Sequence, residues 1–214
     1  MSRPMLALAL LSLGACRPDA GAPNYPNPGP WDPSEDDPDF LAGSNPYEEG
    51  EDRLSIGIFY EGGSSDILAI DDLTRHFYIY ESTFEMGASE DRVEGLVSDE
   101  ITVGDVGWWG GGVHWDTPED ISAWTTLHVA LQSDAEGLGS WTIGMSDGVT
   151  EATVDVAELG FVADGSWQDV VLPLDQLESA GLDLEAVSVG LLLIGTSAAP
   201  GDTLKIDDLY LTAE

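Results

Sequence analysis

The sequence predicts an all-β chain, a two-sheet sandwich over residues 51–214, preceded by two segments of different character. Three observations carry that expectation. From Leu54 onward, apolar residues recur with a period of two in short stretches, the spacing that turns one side of a strand towards a core. Clusters of Gly, Asp and Ser, which favour turns, separate those stretches. Only Leu174 to Ala180 reads as a helical turn, and it lies in a connection, so βαβ units are not expected.

The elements follow in order. Leu54, Ile56, Ile58 and Tyr60 alternate with smaller or polar residues and predict a strand, closed by a loop over Glu61 to Asp66. His76 to Tyr80 is an aromatic and β-branched run of high strand propensity. Leu127, Val129 and Leu131 alternate with His128, Ala130 and Gln132, and Trp141, Ile143 and Met145 alternate with Thr142 and Gly144. Val187, Val189, Leu191 and Leu193 give a fourth clear stretch. No internal repeat of solenoid or propeller length is present.

The last strand carries a defect. Leu204 and Ile206 share one parity and Leu209 and Leu211 the other, so the register slips across Asp207 and Asp208. A bulge there aims a carboxylate sideways. Asp207 and Asp208 are therefore the candidate ligands for a structural calcium ion (Ca2+), which needs six to eight oxygens in a flexible shell. The plainer reading is a strand covered on both faces, with the acidic pair ending a local pleat.

Composition excludes several functions. There are 41 acidic residues against 6 Lys and Arg, for a net charge of −35. Such a surface repels phosphate backbones and lacks a polybasic grip on anionic lipid, so nucleic acid is not an expected partner. The functional reading of the acid is cation capture; the alternative is adaptation to salty surroundings. The hydrophobic share of 43% is enough for a buried core. One cysteine, Cys16, closes no intrachain disulfide and builds no cysteine zinc cluster.

Residues 1–15 have the form of a signal peptide: Arg3, then the apolar run Met5 to Leu13, too short to span a bilayer. The end of that run, Leu13-Gly14-Ala15-Cys16, resembles the lipobox of bacterial lipoproteins. The resemblance implies cleavage before Cys16, lipidation of its thiol and a lipid anchor in the cell envelope. Arg17, where an Asp would signal inner-membrane retention, points to the outer membrane. The other reading is an ordinary secretory peptide cut after Ala22. Residues 16–50 concentrate proline and acid, as in Pro26-Asn27-Pro28-Gly29-Pro30 and Glu35-Asp36-Asp37-Pro38. Such a stretch stays extended and buries too little to fold, which makes it a tether.

Three segments carry a further resemblance. Asp120-Ile121-Ser122-Ala123-Trp124-Thr125-Thr126-Leu127, Gly165-Ser166-Trp167-Gln168-Asp169-Val170-Val171-Leu172-Pro173-Leu174 and Thr203-Leu204-Lys205-Ile206-Asp207-Asp208-Leu209-Tyr210-Leu211 together resemble the galactose-binding-like jelly roll of many carbohydrate-binding modules. The resemblance covers residues 54–214. It implies a jelly-roll sandwich, often with calcium near the ends of its first and last strands. It also implies a glycan partner, held on a sheet face or in loops at one end.

The aromatic residues divide on that basis. Trp124, Trp141 and Trp167 sit in strand patterns and are expected in the core. Trp108 and Trp109 precede, and Trp115 follows, five residues that include Gly110, Gly111 and Gly112. Glycines leave neighbouring indoles unshielded. Trp108, Trp109, His114, Trp115 and Asp116, with Tyr78, Tyr80 and Arg92, are therefore the candidate platform for sugar rings. Adjacent strand residues face opposite ways, so at least one of Trp108 and Trp109 is interior. His76, His114 and His128 lack metal-ligand spacing, and no nucleophile elbow or phosphate loop is present. The expected function is thus a tethered, non-catalytic glycan binder, with an envelope protein as the alternative partner and a polysaccharide hydrolase as the third reading.

Overall fold

The computed structural model describes residues 53–56, 66–68, 74–93 and 97–213. The signal peptide, Cys16 and the tether lie outside the described residues. Twelve strands run as β1 Arg53–Ile56, β2 Asp66–Leu68, β3 Arg75–Ile79, β4 Phe84–Ser89, β5 Ser98–Val103 and β6 Trp109–Glu119, then β7 Thr126–Gln132, β8 Thr142–Ser146, β9 Glu151–Asp155, β10 Gln168–Pro173, β11 Val187–Gly195 and β12 Thr203–Thr212. A short helix, α1 Leu174–Ser179, lies between β10 and β11.

The expected two-sheet sandwich is what forms. In the first sheet β12 is central: it pairs along its length with β7, and β10 lies beyond β7. On its other side β12 pairs with β5 through Thr203–Ile206 and with β1 through Tyr210–Thr212. β4 extends β5, and β2 extends β1 in the only parallel ladder among the described residues. The second sheet has the order β3-β6-β11-β8-β9.

Alternation places the core between them. Leu127, Val129, Leu131, Val170, Leu172, Leu204, Ile206, Leu209 and Leu211 point inward from the first sheet. Val113, Ile143, Met145, Leu191 and Leu193 meet them from the second. The register slip at the end of the chain is a β-bulge: Asp207 pairs with Ala130, yet Tyr210 pairs with His128, and Asp208 takes a left-handed φ of 48°. One extra residue on β12 keeps Ile206 and Leu209 both in the core.

Strands β4, β5 and β9 were not legible in the sequence. Phe84-Glu85-Met86-Gly87-Ala88-Ser89 buries only Phe84 fully, so its periodicity is faint. Its strand state comes from pairing with β5.

The interior also settles the two tryptophans at the ends of the glycine run. Trp109 is 1% exposed and Trp115 3%, so neither belongs to an exposed platform. Their faces are set by β11. Gly195 pairs with Trp109, and a Cβ on Gly195 would sit inside its indole ring. A Cβ on Gly190 would likewise sit inside the indole of Trp115. Glycine on the neighbouring strand opens the space that each ring fills. A buried indole removes about 150–250 Å² from water, worth roughly 4–6 kcal/mol of transfer free energy.

Gly195→Ala should therefore lower the unfolding free energy by about 2 kcal/mol or more, because a rigid, enclosed ring has no room to yield. Urea unfolding followed by tryptophan fluorescence measures it. A loss below about 0.5 kcal/mol would show that the two strands separate easily and that this packing is loose.

Candidate functional site

The outer face of the second sheet gathers most of the remaining candidates. On β3, Phe77 and Ile79 pack against the core, so His76 and Tyr78 point the other way, with Tyr80 following at the strand end. On β6, Trp109, Val113 and Trp115 are interior, which leaves Trp108, Gly110, Gly112, His114 and Asp116 outward. The register brings the two sets together: His76 opposes His114 and Tyr78 opposes Gly112.

Contacts across this face are specific. The Tyr80 hydroxyl and His114 Nε2 are hydrogen-bonded at 2.7 Å. Both tyrosines meet the His114 ring edge-on, Tyr78 at 5.0 Å and Tyr80 at 5.6 Å between centroids. His76 leans on Tyr78 at 5.5 Å and lies 3.6 Å from the Asp116 carboxylate. The Tyr80 and Trp108 rings lie over Gly110, 3.2 and 3.0 Å from where its Cβ would stand. Glycine is needed there, since any side chain would displace both rings.

Continuing across the sheet, Gly112 opposes Leu192, and Leu192 opposes Gly144. Leu192 lies between core residues Leu191 and Leu193 and therefore faces outward with Ile194. The face thus has an aromatic wall along β3, formed by Tyr78, Tyr80 and His114. Its centre, at Gly110, Gly112 and Gly144, contributes no side chains of its own: the Tyr80 and Trp108 rings lie over Gly110, Leu192 is buried at 3% exposure, and Ile194 is half-buried.

Electrostatically the wall is neutral. Burial, and secondarily the charge of nearby His76, pushes His114 down from 6.5 to about 4. A neutral imidazole keeps one acceptor and one donor nitrogen. Arg75 is held by Glu119, its Nη2 donating to Oε1 at 2.7 Å.

Other candidates sit elsewhere. Arg92 follows β4, in a segment fastened to the first sheet, and its Nη1 donates to the Glu90 carbonyl. Neighbouring Asp91 accepts from Lys205 Nζ on β12 at 2.6 Å and from Trp167 Nε1 at 3.0 Å. Those two contacts, Lys205 first, hold the Asp91 carboxyl below its usual range. Arg92 is therefore not brought to the tyrosine wall. Trp167 is likewise not in the core: it is partly exposed, because its indole N–H reaches an outside carboxylate. Trp124 is only partly buried; one side packs on the core and the other lines a cleft of about 500 Å³ with Pro173, Leu182 and Glu178.

The Asp207 carboxylate at the bulge is engaged structurally. Asp207 Oδ2 accepts the Val93 N–H at 2.7 Å, and Oδ1 accepts the Asp208 N–H at 2.9 Å. Both side chains are buried, at 1% and 4% exposure. Among the described residues no three His, Cys, Asp or Glu side chains gather as metal ligands. Asp207 ties the segment after β4 to the central strand. A residue that sequence reasoning missed is Thr83, fully buried, which bonds Gly110 through its hydroxyl; an isolated threonine carries no pattern that would reveal this.

Comparison with known proteins agrees with the fold. A family model described as carbohydrate binding domain 30 matches residues 62–213. The family 30 carbohydrate-binding module of the cellulosomal cellulase Cel9D-Cel44B of Clostridium thermocellum superposes with a TM-score of 0.54 at 20% identity, covering 66% of this chain and 92% of that one. A second crystal structure of a family 30 carbohydrate-binding module gives 0.52 at 20% identity, covering 62% and 78%. No curated protein matches the chain.

Two outcomes follow from the site's charges. The fold favours neutral His114, so the stability this group contributes is fully present above pH 6.5 and is lost as pH falls through about 4. His114→Gln should flatten the decline in unfolding free energy between those values relative to the wild type; parallel slopes would mean that the imidazole is well solvated. Asp207→Ala should cost about 1–3 kcal/mol, since one buried and one part-buried N–H group lose their acceptor. EDTA tests calcium at the bulge: bound calcium makes the melting temperature fall on chelation, and an unchanged value leaves Asp207 and Asp208 as strand residues.

Proposed function

We propose that this chain, which belongs to the carbohydrate binding domain 30 family, holds a neutral polysaccharide against the outer face of β3, β6 and β11. The observation that carries the reading is the half-buried aromatic cluster of Tyr78, Tyr80, Trp108 and His114 on one sheet face, laid down over the glycines of β6. A pyranose ring presents apolar C–H faces and a rim of hydroxyls. Phenol rings match the first, while the Tyr80 hydroxyl, His76 and Asp116 are hydrogen-bond partners for the second. Half-buried Ile194 adds apolar surface on the same face.

Charge narrows the ligand. A chain of net charge −35 repels polyuronates and sulfated glycans. Neutral chains escape that penalty. The similar module of the cellulosomal cellulase makes a β-glucan the first one to try. In this reading the protein binds and does not hydrolyse. The acidic tether of residues 16–50, lipidated at Cys16, holds the domain at the outer membrane, as the lipobox resemblance supports.

The decisive experiment is calorimetry of the full chain with cellohexaose. Saturable binding is expected, and Tyr78→Ala should weaken it about tenfold, or roughly 1.4 kcal/mol, with little change in melting temperature. Normal binding by that folded variant would remove the tyrosine wall from the site. Absence of binding to any neutral glycan would favour an envelope protein as the partner. Release of reducing ends from cellohexaose would make the chain a hydrolase.

A further inference from the structure

The chain passes from the second sheet to the first between Tyr80 and Thr83, and this short crossing borders the glycan face. Glu81 and Ser82 both adopt left-handed φ values, 50° and 55°, without being glycine. Such a pair persists only where its surroundings impose it. Thr83, which follows, supplies that constraint. Its N–H donates to the Tyr80 carbonyl at 3.0 Å, and its own carbonyl accepts the Gly104 N–H at 2.8 Å.

The side chain of Thr83 does something more specific. Its Oγ1 accepts the Gly110 N–H at 3.0 Å and donates to the Gly110 carbonyl at 3.3 Å. The β3–β6 ladder ends at the pair Ile79 and Gly111, one residue short of Gly110. One hydroxyl, donor and acceptor together, thus stands where the next residue of β3 would have been. Gly110 is also the residue over which the Tyr80 ring lies, 3.2 Å from its Cβ position.

We propose that Thr83 is a positioning residue for glycan binding: by closing both backbone groups of Gly110 it fixes the Tyr80 ring against His114. The inference rests on the reading of this face as the glycan site. Thr83 touches no ligand itself. It is fully buried and acts only through the strand end that it completes.

The test uses the full chain, cellohexaose and calorimetry. Thr83→Val keeps the shape but neither hydrogen bond, and should raise the dissociation constant about tenfold. Thr83→Ser keeps the hydroxyl and should bind within about twofold of the wild type. Adding Thr83→Val to Tyr80→Ala should cause no further loss, because the ring to be positioned is gone. Ile143→Val, a core change elsewhere, controls for lowered stability and should leave affinity unchanged. Wild-type affinity in Thr83→Val while Tyr80→Ala is weakened would overturn the positioning role and leave the site standing. Wild-type affinity in Tyr80→Ala would bring down both. Should Thr83→Val not fold, amide exchange at Gly110 in the wild type decides. Cellohexaose should slow it about fivefold or more by loading Tyr80 onto this clamp, and unchanged exchange overturns the inference.

Discussion

The pairing of two tryptophans with two glycines across β6 and β11 is the constraint on which the rest depends. Trp109 lies against Gly195 and Trp115 against Gly190, and these contacts permit only one facing of β6. Side chains alternate along a strand, so fixing Trp109 and Trp115 inward fixes His114 and Asp116 outward. A slip of one residue would put both indoles in water and the imidazole in the core. The same alternation carries to β3 through its ladder with β6, where Tyr78 meets Gly112. Core packing and the geometry of the outer face are therefore one decision, made by the largest side chains in the sheet.

A second constraint lies within the first sheet. The bulge on β12 lets one strand serve β7 throughout while switching partners from β5 to β1 on its other edge. Asp207 stabilises that switch by accepting N–H groups from Val93 and Asp208. The single lysine of the chain, Lys205, holds the same segment through Asp91. In a protein with so few cations, one ammonium placed two residues before the bulge ties the return from β4 to the central strand.

The excess of acid has a local use as well. Asp120, Asp147 and Asp164 each accept hydrogen bonds at short loops, from Ser122, from Val149 and Thr150, and from Ser166. Those bonds hold the three carboxyls below their usual range. Aspartate closes turns in this way wherever a strand must reverse. Part of the negative charge thus follows from a fold of many short strands, and it also sets the neutral character expected of any bound glycan.

The sequence by itself determined the fold class, because a period of two and frequent turn residues are local signals that survive without tertiary context. It also located the bulge, since a change of parity between Ile206 and Leu209 has few other causes. It named Tyr78, Tyr80, His114 and Asp116, which do share a face, because short-range alternation groups them. Only the tertiary structure decided that Trp109 and Trp115 are interior. The space they fill is made by Gly195 and Gly190, about eighty residues away. It likewise carried Arg92 to the other sheet, pulled there with the segment that Lys205 and Asp207 anchor, and moved Trp167 out of the core towards Asp91. Periodicity states which residues share a face. Which face is covered depends on partners that the chain meets only when it has folded.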